Sequence, residues 1–231
     1  MCFPHAGGGA STFFSWPDQL PPWIDVVPVQ PPGRENRIDE PAFEDVASLV
    51  VAARDGLREA LTPPFALYGH SLGALVAFEL ASSLADEGAP MPELLIASGH
   101  RAPHLPLRRK PIHTKRDRGF VRALRDLGSI PVEVLDHDEM RELLLPMLRA
   151  DFRCFETYRF VPHRPLVSPI VAMGGASDPL VPSSDLSAWA EHTTSGSTTR
   201  IFPGDHFYLV EQHREVLSAI ERDLRTRVGG G

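Results

Sequence analysis

Short apolar runs that alternate with helical patterns are the feature of this chain that most restricts its fold. Apolar runs of strand length occupy residues 24–29, 65–68, 94–98, 170–174 and 198–202. Helical patterns occupy residues 43–61, 72–85, 184–191 and 213–227. Because such alternation builds βαβ units, we expect an α/β fold with a mostly parallel central sheet and helices on both faces.

The middle of the chain breaks this alternation. Residues 103–165 contain several prolines, a basic cluster and two helical stretches, at about residues 118–127 and 138–158, without a convincing strand. A helical insertion in a parallel-sheet protein usually lies over the carboxyl edge of the strands, where ligands bind. We therefore predict one domain over residues 1–231, with a core of residues 1–102 and 166–231 and a lid insertion of residues 103–165.

Composition and charge exclude several classes of protein. The net charge of -7 argues against a general nucleic-acid binder, which needs a positive field. No apolar run approaches the roughly 20 residues of a membrane helix, and the first residues lack the order of a signal peptide, so a cytoplasmic location is expected. With Cys2 and Cys154 as the two cysteines, and no paired His/Cys spacing, neither a disulfide framework nor a metal site is expected.

The motif Gly69-His70-Ser71-Leu72-Gly73 lies between the apolar run 65–68 and the helical pattern that starts near residue 72. A strand, a GxSxG turn and a helix are the context of a nucleophile elbow, in which a strained turn exposes the serine hydroxyl above the sheet. The alternative is a serine that only caps a helix. We predict that Ser71 is a nucleophile.

A serine nucleophile requires a base, and the base requires a group that fixes its tautomer. His206 follows the run 198–202, and Asp178 follows the run 170–174, so both can converge on Ser71. The chain order Ser, Asp, His is that of the α/β-hydrolase fold. Asp178 could instead be a turn residue before a proline, and Asp205 is the nearest rival acid. Other histidines near these motifs are expected to be packed (His70) or solvated (His100, His104 and His113).

The negative oxygen of a tetrahedral intermediate requires two hydrogen-bond donors. One is predicted to be the backbone N–H of Leu72, at the start of a helix. The other should come from the glycine-rich run at residues 5–9, either from Ala6 or from Gly7. A phosphate-binding loop is excluded because no Gly-Lys-Ser/Thr follows this run.

Six stretches then identify a family resemblance: FPHAGG at residues 3–8, PPGRENR at 31–37, YGHSLGA at 68–74, SGHRAPH at 98–104, ADFRCFETY at 150–158 and GDHFYL at 204–209. Together they resemble the type II thioesterases of polyketide and nonribosomal peptide synthesis. The resemblance implies an editing enzyme that hydrolyses acyl groups from the phosphopantetheine arm of an acyl or peptidyl carrier protein. The resemblance also implies that the enzyme has no cofactor of its own. It further implies that the insertion is a lid that shapes the acyl pocket.

A basic cluster within the insertion has two interpretations. Between residues 101 and 122 lie six basic residues and one acid: Arg108, Arg109, Lys110, Lys115, Arg116, Arg118 and Asp117. The cluster is either a solvated loop or a docking patch for an acidic partner. Because carrier proteins are commonly acidic, the resemblance makes Arg108, Arg109 and Lys110 candidates for partner binding. We expect a monomer with no membrane or nucleic-acid partner.

Other functions stay open from the sequence. The same fold serves general carboxylesterases, small lipases and chain-terminating acyl-thioester hydrolases. It also serves offloading or cyclising domains, which are normally fused to a synthase. A binding module without enzymatic activity is a further alternative, but such a module has no reason to keep a complete set of serine, acid and histidine.

Overall fold

A five-stranded parallel sheet forms the centre of the molecule. The computed structural model describes residues 1–128 and 132–228. Its strands are Cys2–Phe3 (β1), Ala66–His70 (β2), Leu94–Ser98 (β3), Ile170–Gly175 (β4) and Ser197–Phe202 (β5). Neighbouring strands pair in chain order, and every pair is parallel. All five carboxyl ends therefore lie at one edge of the sheet, where the loops that follow them can form a site.

Eight α-helices accompany the sheet in the described part of the chain. They are Val46–Gly56 (α1), Leu72–Asp86 (α2), Asp117–Leu127 (α3), Val132–Asp136 (α4), Asp138–Thr157 (α5), Ser183–Ser187 (α6), Tyr208–Glu211 (α7) and His213–Val228 (α8). None of the described helices is both long enough and apolar enough to cross a membrane.

The two faces of the sheet pack against different helices. Leu95 of β3 belongs to an apolar cluster that includes residues of α1 and α2. Ile96, the next residue, belongs to a second cluster that contains residues of α8. Successive side chains of a strand point to opposite faces, so β3 is buried on both sides and consists of apolar and small residues throughout. The predicted parallel sheet with helices on both faces is confirmed.

The strand predicted at residues 24–29 is wrong. This segment pairs with β1 through an isolated bridge between Cys2 and Pro28, in which Val29 N–H donates to Cys2 O at 2.9 Å. Two physical reasons account for this result. A proline has no backbone N–H to continue a ladder, and β1 offers only two residues as a partner.

The insertion between β3 and β4 contains helices α3, α4 and α5. The helices predicted at residues 118–127 and 138–158 correspond to α3 and α5, whereas the short α4 was not expected. Asp117 lies in the first turn of α3, and Gly128 ends this helix with φ +61°. Residues 129–131 of the predicted lid, and residues 229–231 of the predicted domain, lie outside the described residues.

Candidate active site

Ser71 lies in a sharp turn between β2 and α2. Its backbone has φ +54° and ψ -116°, a conformation that residues with a Cβ rarely adopt. Its N–H donates to Ser98 O at the end of β3, at 2.7 Å. A Cβ at Gly69 would lie 2.0 Å from Gly73 O, and one at Gly73 would lie 2.2 Å from Phe3 O. Glycine at both positions therefore permits the tight turn that was predicted as a nucleophile elbow.

Asp178 and His206 are hydrogen-bonded to each other. The Nδ1–H of His206 donates to Asp178 Oδ2 at 2.7 Å, and both residues are buried. The other carboxylate oxygen of Asp178 accepts the backbone N–H of Leu180 at 2.8 Å and that of Val181 at 3.3 Å. These bonds fix the carboxylate, which in turn fixes the imidazole with its Nε2 available as a base.

Backbone hydrogen bonds hold the loops of Asp178 and His206 together. Ala176 N–H donates to Phe202 O at 2.8 Å, and Ser177 N–H donates to Gly204 O at 2.9 Å. A Cβ at Gly175 would lie 2.1 Å from the carbonyl oxygen of Asp205, so only glycine allows this approach. Asp205, the rival acid, accepts the N–H of Phe207 at 2.8 Å and shapes its own loop.

A cavity of about 130 Å³ brings Ser71 and His206 to one surface. Its wall combines the loops at the carboxyl edge of the sheet with the insertion. The insertion contributes Leu107, Arg108, Arg109, Leu127, Phe152 and Phe155. The segment that was expected to cover the site therefore contributes part of the cavity wall.

Three further histidines surround His206 and are neutral near pH 7. Burial lowers the pKa of His5 to about 4, with a smaller effect from His206. Burial also lowers the pKa of His70 well below its ordinary value and that of His100 to about 3. His70 is fully buried and contacts Ser98 Oγ through Nδ1 at 2.8 Å, which agrees with its predicted packing role. The prediction that His100 is solvated is wrong, because it is buried in the wall of the cavity.

The solvated states expected for His104 and His113 are also wrong. His104 Nδ1 lies 2.7 Å from His192 Nε2, at the edge of an aromatic cluster. His113 Nδ1 lies 2.7 Å from an oxygen of the buried Glu156. Their partners come from other parts of the chain, so the local sequence gave no sign of either contact.

The glycine-rich loop lies beside Ser71, as expected for a source of oxyanion donors. Ala6 lines the same cavity as Ser71. Gly7, the alternative donor, already donates its N–H to Asp151 Oδ2 at 2.7 Å, which favours Ala6 over Gly7 as the predicted second donor. Leu72 is the first residue of α2, at the end of the helix where backbone N–H groups are not used within the helix.

Two of the three predicted docking residues are held in ion pairs. Arg108 donates to both oxygens of Asp185, at 2.7 and 2.5 Å, and this contact lowers the pKa of Asp185. Arg109 lies 2.9 Å from Glu156, which has no exposed side-chain surface. Both arginines line the cavity, Arg108 and Lys110 are exposed and Arg109 is half-buried, and the role of these residues in partner binding stays a prediction.

A buried ion pair below the glycine-rich loop was not predicted from the sequence. Arg34 and Asp151 lie within the PPGRENR and ADFRCFETY stretches, and they meet across 117 residues of chain. Both stretches contain several charged residues, and nothing in the local sequence indicates which of them pair with each other. In residues 1–128 and 132–228, the structure contains no group of three or more His, Cys, Asp or Glu side chains that could hold a metal ion.

Comparisons with known proteins agree with this geometry. The sequence matches the thioesterase domain family over residues 1–224. It is 39% identical to thioesterase PikA5 of Streptomyces venezuelae, over 97% of this chain and 80% of the relative. The RedJ thioesterase of the prodiginine biosynthetic pathway in Streptomyces coelicolor is 39% identical over 96% of this chain and 88% of its own, with a TM-score of 0.89.

A second solved structure is equally similar. The type II thioesterase BorB from the borrelidin biosynthetic cluster is 38% identical, with a TM-score of 0.89, over 97% of this chain and 91% of its own. Both the family match and these structures extend over almost the whole chain, including the insertion. The chain therefore belongs to the thioesterase domain family, whose members are hydrolases of thioester bonds with the α/β-hydrolase fold.

Proposed function

We propose that this protein removes acyl groups from the phosphopantetheine arm of acyl or peptidyl carrier proteins, through an acyl-Ser71 intermediate. The observation that carries the proposal is the hydrogen bond between His206 and Asp178 beside the strained Ser71 in one cavity. Its relatives, the RedJ thioesterase of the prodiginine biosynthetic pathway and the type II thioesterase BorB of the borrelidin biosynthetic cluster, support this substrate class.

In the first step, Ser71 Oγ attacks the thioester carbonyl carbon while His206 Nε2 removes the hydroxyl proton. Asp178 holds the opposite ring N–H and stabilises the imidazolium that forms. The backbone N–H groups of Leu72 and Ala6 bind the negative oxygen of the tetrahedral intermediate. The C–S bond then breaks, the carrier thiolate takes the proton from His206, and the acyl group stays on Ser71.

In the second step, water replaces the thiol. His206 removes a proton from the water as it attacks the acyl-Ser71 carbonyl, and the same two backbone N–H groups bind the second tetrahedral oxyanion. Collapse of this intermediate returns the proton to Ser71 Oγ and releases the free acid. Side chains and backbone groups of this chain supply every step, so the proposed reaction requires no cofactor from the enzyme.

The insertion is proposed to act as a lid that shapes the acyl pocket. Phe152 and Phe155 of α5 and Leu127 of α3 place apolar side chains on the cavity wall. A cavity of about 130 Å³ is close to the size that an engineered apolar cavity needs to hold benzene, roughly 150 Å³. These apolar side chains would contact the acyl group, and the proposed role is the editing of such groups on carrier proteins.

Paired substrates test the proposed reaction. Acetyl, propionyl, longer acyl and aminoacyl groups on a carrier protein should be hydrolysed faster than matched oxoesters. A fluorophosphonate probe should label the protein, and Ser71→Ala should abolish both labelling and hydrolysis. Faster cleavage of oxoesters than of thioesters would identify a carboxylesterase instead, and labelling that survives Ser71→Ala would remove the assigned nucleophile.

Exposed basic residues of the insertion are proposed to dock the carrier protein. Lys110, Lys115, Arg116 and Arg118 are exposed, and they can attract an acidic surface at long range. A Lys110→Glu/Lys115→Glu/Arg118→Glu variant should raise KM for a carrier-bound substrate about tenfold and leave KM for an N-acetylcysteamine thioester unchanged.

The matched control for this variant is Arg58→Glu/Arg214→Glu, at two exposed arginines of the core. This control should leave both KM values unchanged. Equal KM changes for the carrier-bound and the small substrate would contradict docking by the insertion.

A further inference from the structure

Arg34 and Asp151 form a buried, two-point ion pair below the glycine-rich loop. Arg34 Nη1 lies 2.6 Å from Asp151 Oδ2, and Nη2 lies 2.8 Å from Oδ1. Arg34 is 5% exposed and Asp151 is 3% exposed. Burial of two charges carries a desolvation penalty, and apolar residues of similar volume often give equal or greater stability. Stability is therefore a weak reason for this pair, and its other contacts become informative.

Those other contacts are to two successive residues of the loop. Asp151 Oδ2 accepts the backbone N–H of Gly7 at 2.7 Å. Arg34 Nη1 donates to the carbonyl oxygen of Gly8 at 3.0 Å. Asp151 thus accepts from one backbone N–H of the loop, and Arg34 donates to one backbone carbonyl oxygen of the loop. This single ion pair therefore fixes the loop through both a donor and an acceptor.

The held residues belong to a tight turn that contains the proposed oxyanion donor. Gly8 N–H donates to His5 O at 2.9 Å, and Gly7 has φ +86°. Because Ala6, the second residue, does not have a positive φ, the turn is of type II rather than type I′, and type I differs from type II by inversion of the central peptide. Here the central peptide joins Ala6 to Gly7. Inversion would point the Ala6 carbonyl oxygen at the Asp151 carboxylate, so this carboxylate selects the observed turn.

Arg34, the positive partner of Asp151, affects the net charge beside the site. A carboxylate beside the loop would oppose the negative oxygen that forms on the proposed tetrahedral intermediate. The guanidinium of Arg34 contacts both oxygens of Asp151 and offsets that charge. The loop therefore gains a strong acceptor for Gly7 without a net negative charge beside the reacting carbonyl.

We infer that Arg34 and Asp151 are positioning residues that set the geometry of the oxyanion loop; this inference rests on the proposed function. Asp151 lies on α5, the same helix that carries Phe152 and Phe155 on the cavity wall. One helix of the insertion therefore anchors the loop that binds the oxyanion and also contributes the wall that contacts the acyl chain.

Variants of the pair test this role with kinetics and with an inhibitor. Asp151→Asn keeps an acceptor for Gly7 but removes the charge, and Arg34→Lys keeps the charge but loses the two-point contact. At temperatures below their melting transitions, both should lower kcat about 10- to 100-fold with KM within twofold of wild type. The inhibition constant of a boronic acid, which forms a tetrahedral adduct with the serine, should rise by the same factor.

A double variant separates positioning from stability. Asp151→Asn leaves the buried charge of Arg34 unpaired, so Arg34→Met/Asp151→Leu is added because it removes both charges and both loop contacts at similar volume. It should melt cooperatively above the assay temperature and still show the loss in kcat. The control variants Arg200→Lys and Asp223→Asn alter a second ion pair, between β5 and α8, and should leave kcat unchanged.

Specific outcomes would overturn the inference. A folded pair variant with wild-type kcat, or a loss confined to KM, would show that the pair has no positioning role. The assays include an aryl oxoester, whose hydrolysis uses the same oxyanion loop. A wild-type protein that cleaves the oxoester but no thioester would contradict the proposed function, while the oxoester kinetics of the variants would still decide the role of the pair.

Discussion

Gly73 shows how closely the turn at Ser71 is packed. A Cβ at this position would lie 2.2 Å from Phe3 O and 2.7 Å from Pro4 O, and both atoms are backbone. We expect Gly73→Ala to lower the free energy of unfolding by more than about 2 kcal/mol, because backbone must move to admit the methyl group. Urea unfolding monitored by circular dichroism measures this change.

Gly56 provides the control, since it ends α1 and nothing lies within 4 Å of a Cβ built there. Gly56→Ala should leave stability unchanged or raise it by up to about 1 kcal/mol. Equal unfolding midpoints for the two variants would mean that the turn can relax around a side chain.

Asp178 and Asp205 can be distinguished by isosteric substitution. Asp178→Asn retains an oxygen for the Leu180 N–H but cannot hold His206 in the required tautomer. We expect kcat to fall by roughly 10⁴-fold with little change in melting temperature. Asp205→Asn keeps an acceptor for its own loop and should lose less than about threefold in kcat. A larger loss at Asp205 than at Asp178, measured by thioester hydrolysis, would reverse the assignment of the acid.

At the scale of elements, the core strands were predictable because their signal is local. The run 94–98 is apolar or small throughout, as expected for a strand buried on both faces, and β3 has the predicted bounds. Residues 24–29 carry the same kind of pattern but form no strand, because Pro28 and a two-residue β1 limit the pairing available to them. Whether a segment forms a strand depends on the segment it can pair with, and the local sequence pattern does not identify that pairing segment.

Helix α5 docks onto the preceding loop through one buried carboxylate. Glu156 accepts the backbone N–H groups of Ile112 and His113 at 2.9 to 3.0 Å, and its side chain also contacts Arg109. Glu156→Ala should lower the melting temperature by several degrees and speed proteolysis within residues 103–116, because all of these groups, and the His113 imidazole, lose their acceptor.

Glu142→Ala, at an exposed position of the same helix, is the matched control for Glu156→Ala. It should behave like wild type in thermal melting and in limited proteolysis. If Glu156→Ala is cleaved at the wild-type rate, this carboxylate does not hold the loop to α5.

At the scale of the whole molecule, long-range contacts were the part that the sequence did not predict. The positions of Ser71, Asp178 and His206 follow from a rule of topology, because loops after parallel strands meet at one edge. No such rule relates Arg34 to Asp151, which meet only after the insertion packs on the core. Buried charges require partners, but which charges become buried depends on the packing of the complete chain.

The buried histidines around the site should make the stability of the whole fold depend on pH. The pKa is lowered to about 4 for His5 and to about 3 for His100, and it is well below its usual range for His70. In the unfolded chain these pKa values return to about 6.5, so below pH 6.5 the unfolded state binds more protons than the folded state. These three histidines therefore do not reduce the free energy of unfolding above pH 6.5, and below pH 6.5 they reduce it progressively as the pH falls.

Each of these histidines should contribute a loss of about 1.4 kcal/mol per pH unit between pH 6.5 and its folded pKa. Urea unfolding at pH 7.5, 6.5, 5.5 and 4.5 measures the slope, and His5→Phe should reduce the loss between pH 7.5 and 5.5 by about 1 kcal/mol. His137→Gln, at an exposed position, should keep the wild-type slope. If His5→Phe and His137→Gln give the same slope as wild type, the His5 imidazole becomes protonated in the folded protein without cost. Its burial beside His206 would then not keep it neutral.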